Sequence, residues 1–304
     1  MKGNYKYTAS QLFSFARDSY FERTSRPIYA IVFLLPLIIF YEMGTILINT
    51  DVLNQTQVRV VAFVWLQKSL EYLGFGSKLA WVAPPLAVVI ILIALQMVSG
   101  KRWRFALGDI RTMAVECILL AVPLIVLTLF MNAPSKPQDD IDKFSSSMAR
   151  VEIEAVPSCS LVTMDGLLAA AEDNAGGPAK SESLLANIVT GIGAGIYEEL
   201  IFRLILICAL MLLFQDVLRF SRKNSIIISV LVSATLFSAH HHIDFLSGQL
   251  NQTDIFNWTE FGFRTIAGVY FAVLFAIRGF GITAGTHAFY DVIAVSIRAI
   301  FFLQ

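Results

Sequence analysis

Residues 28–49 read IYAIVFLLPLIIFYEMGTILIN, an apolar run of 22 residues in which Glu42 is the single charged side chain. The hydrocarbon core of a bilayer is about 30 Å thick, and a helix of roughly 20 apolar residues crosses it. The apolar part of a cleaved secretory signal is shorter, about 7–15 residues. This run therefore predicts an uncleaved membrane-spanning helix near the start of the chain.

Further apolar runs of similar length follow along the chain. Together they predict an all-α fold, a polytopic transmembrane bundle of about seven to eight membrane helices with additional interfacial helices. The run 58–77 carries Arg59, Lys68 and Glu71, so we expect it to lie in the outer interface. The aromatic and charged stretch 8–25 is expected to lie in the inner interface. The predicted spans are 28–49, 79–98, 112–131, one within 184–218, 224–241, 262–277 and 281–303.

The composition argues against two broad classes of protein. Hydrophobic residues make up 56% of the chain, charged residues only 15%, and the mean hydropathy is +0.67, whereas soluble domains carry about 25% charged residues. Lys and Arg number 23, as do Asp and Glu, so the basic surplus of a nucleic-acid-binding protein is absent. The three cysteines are scattered and predict neither a disulfide framework nor a cysteine metal site.

The distribution of Lys and Arg predicts the orientation. With the N-terminus inside, the inner stretches hold 13 basic residues in 46 positions and the outer stretches 7 in 101. Because basic residues are retained on the cytoplasmic side, this roughly fourfold difference in density favours a cytoplasmic N-terminus. The chain shows no organellar transit segment, and we expect a bacterial inner membrane.

The first unusual span contains the run Gly195–Arg203, in which Glu198, Glu199 and Arg203 interrupt apolar residues. Ionisable residues in hydrocarbon are costly and are functional candidates by default. Glu199 and Arg203 are four residues apart and can form an ion pair on one helix face, whereas Glu198 needs another partner. The alternative interpretation is a buried structural pair beside one protonated acid.

Two further spans carry histidines. His240, His241 and His242 end the fifth span, where they could simply cap its last carbonyls. In the last span His287 and Asp291 are four apart, so the carboxylate can orient the imidazole, or both can bind one metal. A plain hydrogen bond between helices is the alternative. Histidine with carboxylate is a ligand set of hydrolytic zinc, and a neighbouring glutamate can take the proton of an attacking water.

The ordered motifs resemble the CPBP intramembrane proteases, which include the type II CAAX prenyl endopeptidases. The family pattern is Glu-Glu-x-x-x-Arg, Phe-x-x-x-His and His-x-x-x-Asn on separate membrane helices. It corresponds here to Glu198, Glu199 and Arg203, to Phe237 and His241, and to His287 with Asp291. The resemblance covers residues 184–303. It divides the chain into an N-terminal membrane region with three spans at 1–131, a polar extracytoplasmic linker at 132–183 and a catalytic membrane domain at 184–304.

The resemblance also implies roles for the motif residues. Glu198 would activate water, His241 and His287 would bind a metal or the developing oxyanion, and Asp291 would complete the site. Glu199 and Arg203 would hold the helix in place. The implied cofactor is Zn²⁺, with His241, His287, Glu198 and Asp291 as candidate ligands and His240 as a possible replacement for His241. The implied partners are the lipid bilayer and a membrane-associated protein or peptide.

The motifs depart from the family pattern in two places. Asp291 replaces the commoner Asn, which adds a negative charge and favours a bound cation. His240 and His242 flank the expected His241, so a neighbouring imidazole could act instead. Counted from residue 184, Glu198 lies too deep to meet His241 unless the helix breaks at the run Gly191–Gly195, and we expect such a break. We also expect the turn 279–281 to lie inside the membrane, because His287 follows it closely.

The sequence thus favours an intramembrane endopeptidase. A non-enzymatic membrane factor, using the same polar cluster for immunity or partner binding, is the main alternative. A proton-coupled carrier is a third possibility, because intramembrane Glu and His also suit proton relays. That function predicts paired half-repeats, which the sequence does not show. The substrate and the oligomeric state do not follow from the sequence.

Overall fold

The computed structural model describes residues 15–16, 18–49, 60–74, 82–131, 179–244, 249–250 and 257–301. Residues 132–178 of the predicted linker 132–183 lie outside the described residues. So do residues 8–14 and 17 of the stretch 8–25 and both ends of the run 58–77.

The described part of the chain is a bundle of helices, and the predicted all-α polytopic fold is confirmed. A two-residue antiparallel pairing of Ile243–Asp244 with Gln249–Leu250 is a small exception. The helices are α1 (Tyr20–Thr24), α2 (Pro27–Asn49), α3 (Val61–Tyr72), α4 (Ala83–Ser99), α5 (Leu107–Met131), α6 (Ala179–Glu199), α7 (Ile207–Met211), α8 (Arg222–Ala239), α9 (Trp258–Arg278) and α10 (Phe280–Phe301).

Among the described residues, five helical segments are long and apolar enough to cross a membrane. They are Pro27–Ile48, Leu107–Met131, Leu184–Val217, Trp258–Arg278 and Phe280–Ile300. The predicted span 79–98 forms the shorter apolar helix α4, and the span 224–241 forms α8, which begins with Arg222 and Lys223. Since a bilayer needs about 20 residues, the segment that ends at Val217 is far longer than one perpendicular crossing.

The expected helix break at Gly191–Gly195 is wrong, because α6 runs without interruption from Ala179 to Glu199. The glycines instead allow neighbouring helices to approach α6 closely. A Cβ atom on Gly193 would lie 2.2 Å from the Tyr41 ring of α2, and one on Gly195 would lie 2.3 Å from the Ala288 backbone of α10. Packing, rather than a change of direction, accounts for the glycine spacing.

The depth mismatch has another explanation. Glu198 lies 19 residues before the end of the helical segment at Val217, and His240 lies 18 residues after the start of α8 at Arg222. The two helices are joined by the short connection 218–221, so they run in opposite directions from one level. Measured from this end, Glu198 and His240 reach the same height without a break.

Directly after Glu198 and Glu199, the helix that continues α6 changes from α-helical to π-helical winding. Residues Leu200–Leu206 form a π-helix, in which each turn holds an extra residue. This winding disturbs the ordinary ladder of backbone hydrogen bonds, and the Ser233 hydroxyl on α8 donates to the Phe202 carbonyl at 2.7 Å. The π-helix thereby carries Arg203 into the interior, where the structure buries it completely.

Helices α3 and α10 both pack against α6. Helix α3 occupies the predicted interfacial run 58–77, and its position relative to the membrane stays a prediction. Its Phe63 ring packs against Tyr197 of α6 with ring centroids 5.0 Å apart. Helix α10 begins after Gly279, whose φ of +80° favours glycine. Its residues include His287 and Asp291, which face α6.

Candidate active site

The side chain of Glu198 meets the first histidine of the triplet. It lies in the last turn of α6 and is 6% exposed. Its Oε1 lies 3.6 Å from Nε2 of His240. The other ring nitrogen of His240, Nδ1, donates to the Phe237 carbonyl in the last turn of α8. This bond orients the ring so that Nε2 faces Glu198.

His241 completes a compact group with these two residues. Its ring centroid lies 3.9 Å from that of His240. One ligand atom each from Glu198, His240 and His241 lies within 4.8 Å of the others, and all three residues are buried. We refer to these three residues as the Glu–His cluster. Its spacing and its donors could hold a metal ion.

The cluster has the surroundings that metal-binding histidines usually have. A ligating histidine commonly donates its second ring N–H to a backbone carbonyl or a carboxylate, and His240 does so through Phe237. In the described structure Nε2 of His240 has no hydrogen-bond partner, although it is buried. A buried polar atom without a partner is costly, and a bound ion at this place would satisfy it.

Glu199, on the adjacent helix position, belongs to a second group. Its Oε2 lies 3.1 Å from Nε of Arg203, so the two form the ion pair expected from their spacing. Its Oε1 accepts from Nδ1 of His287 at 2.8 Å. On the opposite side of that ring, Nε2 lies 3.6 Å from Asp291 Oδ2. The His287 imidazole therefore lies between two buried carboxylates.

Phe237, the first residue of the second motif, connects both groups. The Arg203 guanidinium lies 4.2 Å from the centre of the Phe237 ring, a cation–π contact. The His241 and His287 rings pack edge-on against the same phenyl ring, with centroids 5.5 and 6.1 Å away. The His287 ring also stacks on Phe271 at 4.5 Å. These aromatic contacts restrict the orientation of both imidazoles.

The third histidine of the triplet has a different environment. Nε2 of His242 lies 3.3 Å from Nη1 of Arg264, and because arginine only donates, the imidazole nitrogen accepts. The same guanidinium lies 3.9 Å from the carboxylate of Glu260. A cation beside His242 disfavours a metal ion at that ring. This contact distinguishes His242 from His240 and His241, which the sequence alone left as alternatives.

The fixed charges of the site do not balance. Three carboxylates, Glu198, Glu199 and Asp291, are at most 6% exposed, and Arg203 is the one guanidinium that pairs with any of them in the described structure. Three negative groups against one positive group leave a surplus of two. Buried charges must be paired or neutralised. The site therefore has the charge to attract a divalent cation or protons.

A comparison with known protein families gave one match, and it covers the part of the chain that carries this site. Residues 180–293 match the Rce1-like type II CAAX prenyl endopeptidases. This Rce1-like segment contains all three motifs, and it confirms the expected resemblance to the CPBP family. It covers 114 of the 304 residues, slightly over a third of the chain. Comparison with curated proteins and with solved structures gave no match.

The Rce1-like segment brings every predicted site residue into one region, although not as one ligand set. His240 stands beside Glu198 with His241, whereas His287 and Asp291 adjoin Glu199. Sequence reasoning missed Arg264, although a charged residue within a predicted span was an available signal. It also missed Trp65 of α3, whose ring lies 5.7 Å from that of His240. Nothing in the local sequence indicated that contact.

Proposed function

We propose that this multi-pass membrane protein is an intramembrane endopeptidase that hydrolyses a peptide bond in a membrane-associated protein or peptide. The observation that carries the proposal is the buried Glu–His cluster within a segment that matches CAAX prenyl endopeptidases. A carboxylate beside imidazoles is suited to water activation. Exclusion of bulk water strengthens the electrostatics of such a site.

In the proposed reaction Glu198 is the general base. Its carboxylate removes a proton from water, and the resulting hydroxide attacks the carbonyl carbon of the scissile bond. The C–N bond then breaks, and Glu198 returns the proton to the departing amine. Glu198 suits this role because its carboxylate is buried and, among the described residues, pairs with no lysine or arginine that would neutralise its charge.

We assign His287 the stabilisation of the oxyanion that forms during the attack. Glu199 accepts from its Nδ1 and Asp291 lies near its Nε2, so the two carboxylates favour a protonated ring. Arg203 pairs with Glu199 and holds this carboxylate in position. Glu199, Arg203 and Asp291 are therefore positioning residues in this mechanism, and they act through His287.

The donor set fits Zn²⁺, which we propose as the cofactor. His240, His241 and one oxygen of Glu198 would hold the ion, and the second oxygen of Glu198 remains the proton acceptor. Bound zinc lowers the pKa of its water and polarises the substrate carbonyl. With His287 protonated, the three buried carboxylates still exceed the positive charges by one, which supports a bound cation at this place.

Metal analysis of purified protein tests the ligand set. We expect about one zinc per chain in the wild type, lost in His240→Ala and in His241→Ala, and retained in His242→Ala. The His242 variant is a matched control, because it removes an adjacent imidazole that contacts Arg264 instead. Equal loss in all three variants would contradict the ligand assignment. A folded wild type without metal would show that the zinc proposal is wrong.

Cleavage in proteoliposomes tests the endopeptidase itself. The probe is a fluorogenic peptide with a farnesylated CAAX terminus, and a matched unprenylated peptide reports whether the lipid matters. We expect Glu198→Gln to lower the turnover rate by about 10²- to 10⁴-fold. Glu260→Gln, the same substitution at a partly exposed carboxylate, should retain activity. Unchanged turnover in the Glu198 variant would overturn the proposed function.

We further propose a bacterial inner membrane with the N-terminus inside, a membrane region at 1–131, a linker at 132–183 outside and the catalytic domain at 184–304. Single cysteines introduced into the connection 218–221 or into the linker, in a variant whose three native cysteines are replaced by Ser, test the topology. A membrane-impermeant thiol reagent should label only the linker in intact cells. Labelling of 218–221 in intact cells would reverse the orientation.

A further inference from the structure

A basic and aromatic loop joins α4 to α5. Residues 101–106 read KRWRFA, and Arg102 and Arg104 are exposed. Trp103 is 55% exposed and Phe105 45%. Since α4 ends at Ser99 and α5 begins at Leu107, the loop lies where two apolar helices leave the membrane. Tryptophan between apolar and charged groups is typical of the headgroup level of a bilayer.

An open groove lies beside this loop on the first turns of α5. It is shallow and open to the surroundings, and its lining residues, Gly108, Arg111, Thr112 and Val115, all belong to this one helix. These positions are three, four and seven residues from the first, so they share one helix face. Arg111 and Thr112 give this end of the groove a cation and a hydroxyl, while Val115 begins its apolar side.

The same face of α5 continues into the membrane as an apolar stripe. Leu119 is 64% exposed, Val122 45% and Val126 58%, and they extend the spacing of the groove residues along the helix. The face is therefore cationic and polar at the membrane boundary and apolar beyond it. A phospholipid has the same order of chemistry, with a phosphate at one end and an acyl chain at the other.

The positive charge of this surface is not compensated from nearby. In the described part of the chain, Arg102, Arg104 and Arg111 form no ion pair. Asp109 is close in sequence, but it accepts two hydrogen bonds from the Arg23 guanidinium, each 3.0 Å long. Its charge is thus already paired, and three guanidinium groups remain to attract an anion.

We propose that this groove and loop bind an anionic phospholipid, with the phosphate at Arg111 and an acyl chain along the apolar stripe. Guanidinium groups bind phosphate oxygens in a bidentate geometry and keep their charge at all relevant pH values. Basic clusters beside membrane helices bind the anionic lipids of the cytoplasmic leaflet. The apolar stripe distinguishes a lipid from free phosphate. The proposal does not depend on the proposed enzymatic activity.

Native mass spectrometry of the full-length protein tests this site. The protein is released from mixed micelles that contain equal amounts of phosphatidylglycerol and phosphatidylcholine. The variant replaces Arg102, Arg104 and Arg111 by Gln. The control variant replaces Arg219, Arg222 and Lys223 by Gln, which removes the same charge from another group of exposed basic residues, before and at the start of α8. Thermal unfolding confirms that both variants are folded.

We expect the wild type to retain phosphatidylglycerol in preference to phosphatidylcholine. The groove variant should lose this preference by about tenfold or more, and the control variant should keep it. Added inorganic phosphate should not displace the lipid. Equal loss in both variants would show general surface attraction and overturn the proposal. Displacement by inorganic phosphate would overturn it as well, because the site would then recognise a soluble anion.

Discussion

Two groups of ionisable side chains among the described residues differ in how completely their members are paired. The first, which we call the inner network, joins α1, α2, α5 and the end of α9. It consists of Asp18, Tyr20, Glu22, Arg23, Arg26, Tyr29, Lys101, Asp109, Glu116 and Arg278. The second is the candidate active site. Four carboxylates meet four cations in the inner network, whereas three carboxylates meet one guanidinium in the active site.

The hydrogen bonds show the same difference, because they are more complete in the inner network than in the active site. Arg278 donates to Glu116 at 2.6 and 2.8 Å, to Thr24 at 2.8 Å and to the Phe21 carbonyl at 3.0 Å. In the active site, Nε2 of His240 is buried and has no hydrogen-bond partner in the described structure. A network that satisfies its own groups stabilises the fold. A cluster whose buried polar groups are not all paired can still bind a substrate, a proton or an ion.

The largest expected effect is a difference in the free energy of unfolding between two variants, one with a substitution in the inner network and one with a substitution in the active site. Glu116→Gln removes the carboxylate from Arg278, which is 4% exposed, and should lower the free energy of unfolding by about 3–5 kcal/mol. Glu198→Gln removes a surplus negative charge and should leave that free energy unchanged or higher in metal-free protein. Denaturant unfolding in detergent measures both. The reverse order would break the comparison.

The next prediction concerns the close contact between α6 and α10 at Gly195, three residues before Glu198. Gly195→Ala places a Cβ atom 2.3 Å from the backbone of Ala288 and should destabilise the protein by about 1–3 kcal/mol. Gly262→Ala is the matched control, since no atom lies within 4 Å of its added Cβ. The control should stabilise α9 by up to about 1 kcal/mol. Thermal unfolding distinguishes the two, and similar effects would contradict the packing explanation.

A smaller effect is expected at the π-helix. Ser233→Ala removes the donor to the Phe202 carbonyl and should cost about 1 kcal/mol of stability. Because this segment positions Arg203, turnover should also fall while the affinity for substrate changes little. Thr235→Ala is the control, since its exposed hydroxyl bonds only the Leu231 carbonyl of its own helix. Equal turnover in both variants would show that Ser233 has no positioning role.

The smallest prediction is a pH effect in the inner network. The hydrogen bond from Arg26 holds the pKa of Glu22 below its ordinary value of 4.5. The unfolded chain therefore binds the proton more tightly, and the stabilisation from Glu22 is present above that value and is lost as the pH falls through the lowered pKa. Unfolding measured from neutral to acidic pH should show less loss in Glu22→Gln than in the wild type. Identical curves would contradict this assignment.

The local pattern of residues was sufficient for several features. Apolar runs of about 20 residues predicted the membrane helices, because a bilayer imposes this length on a helix. The spacing of Glu199 and Arg203 predicted their ion pair, because residues four apart share a helix face. The three motifs also predicted the family that the comparison later matched. Each of these inferences depends only on neighbours within one helix or on the order of short motifs.

The inferences that required the relative position of two helices were less successful. The glycine run suggested a break, and only the packing of α6 against α2 and α10 showed that it permits a close approach. The height of Glu198 was misjudged because it was counted from the wrong end of a helical segment that is longer than one crossing. Sequence distance along one helix contains no information about where the next helix crosses it.

The sequence by itself therefore determined the class of fold, the order of the motifs and the residues that could carry the chemistry. The tertiary structure decided which of those residues meet. It placed His240 and His241 beside Glu198, His287 between Glu199 and Asp291, and His242 beside Arg264. The physical reason is that each of these contacts, except that between His287 and Asp291 on α10, joins side chains from different segments of the chain. Their separation depends on packing across the bundle, which no local pattern encodes.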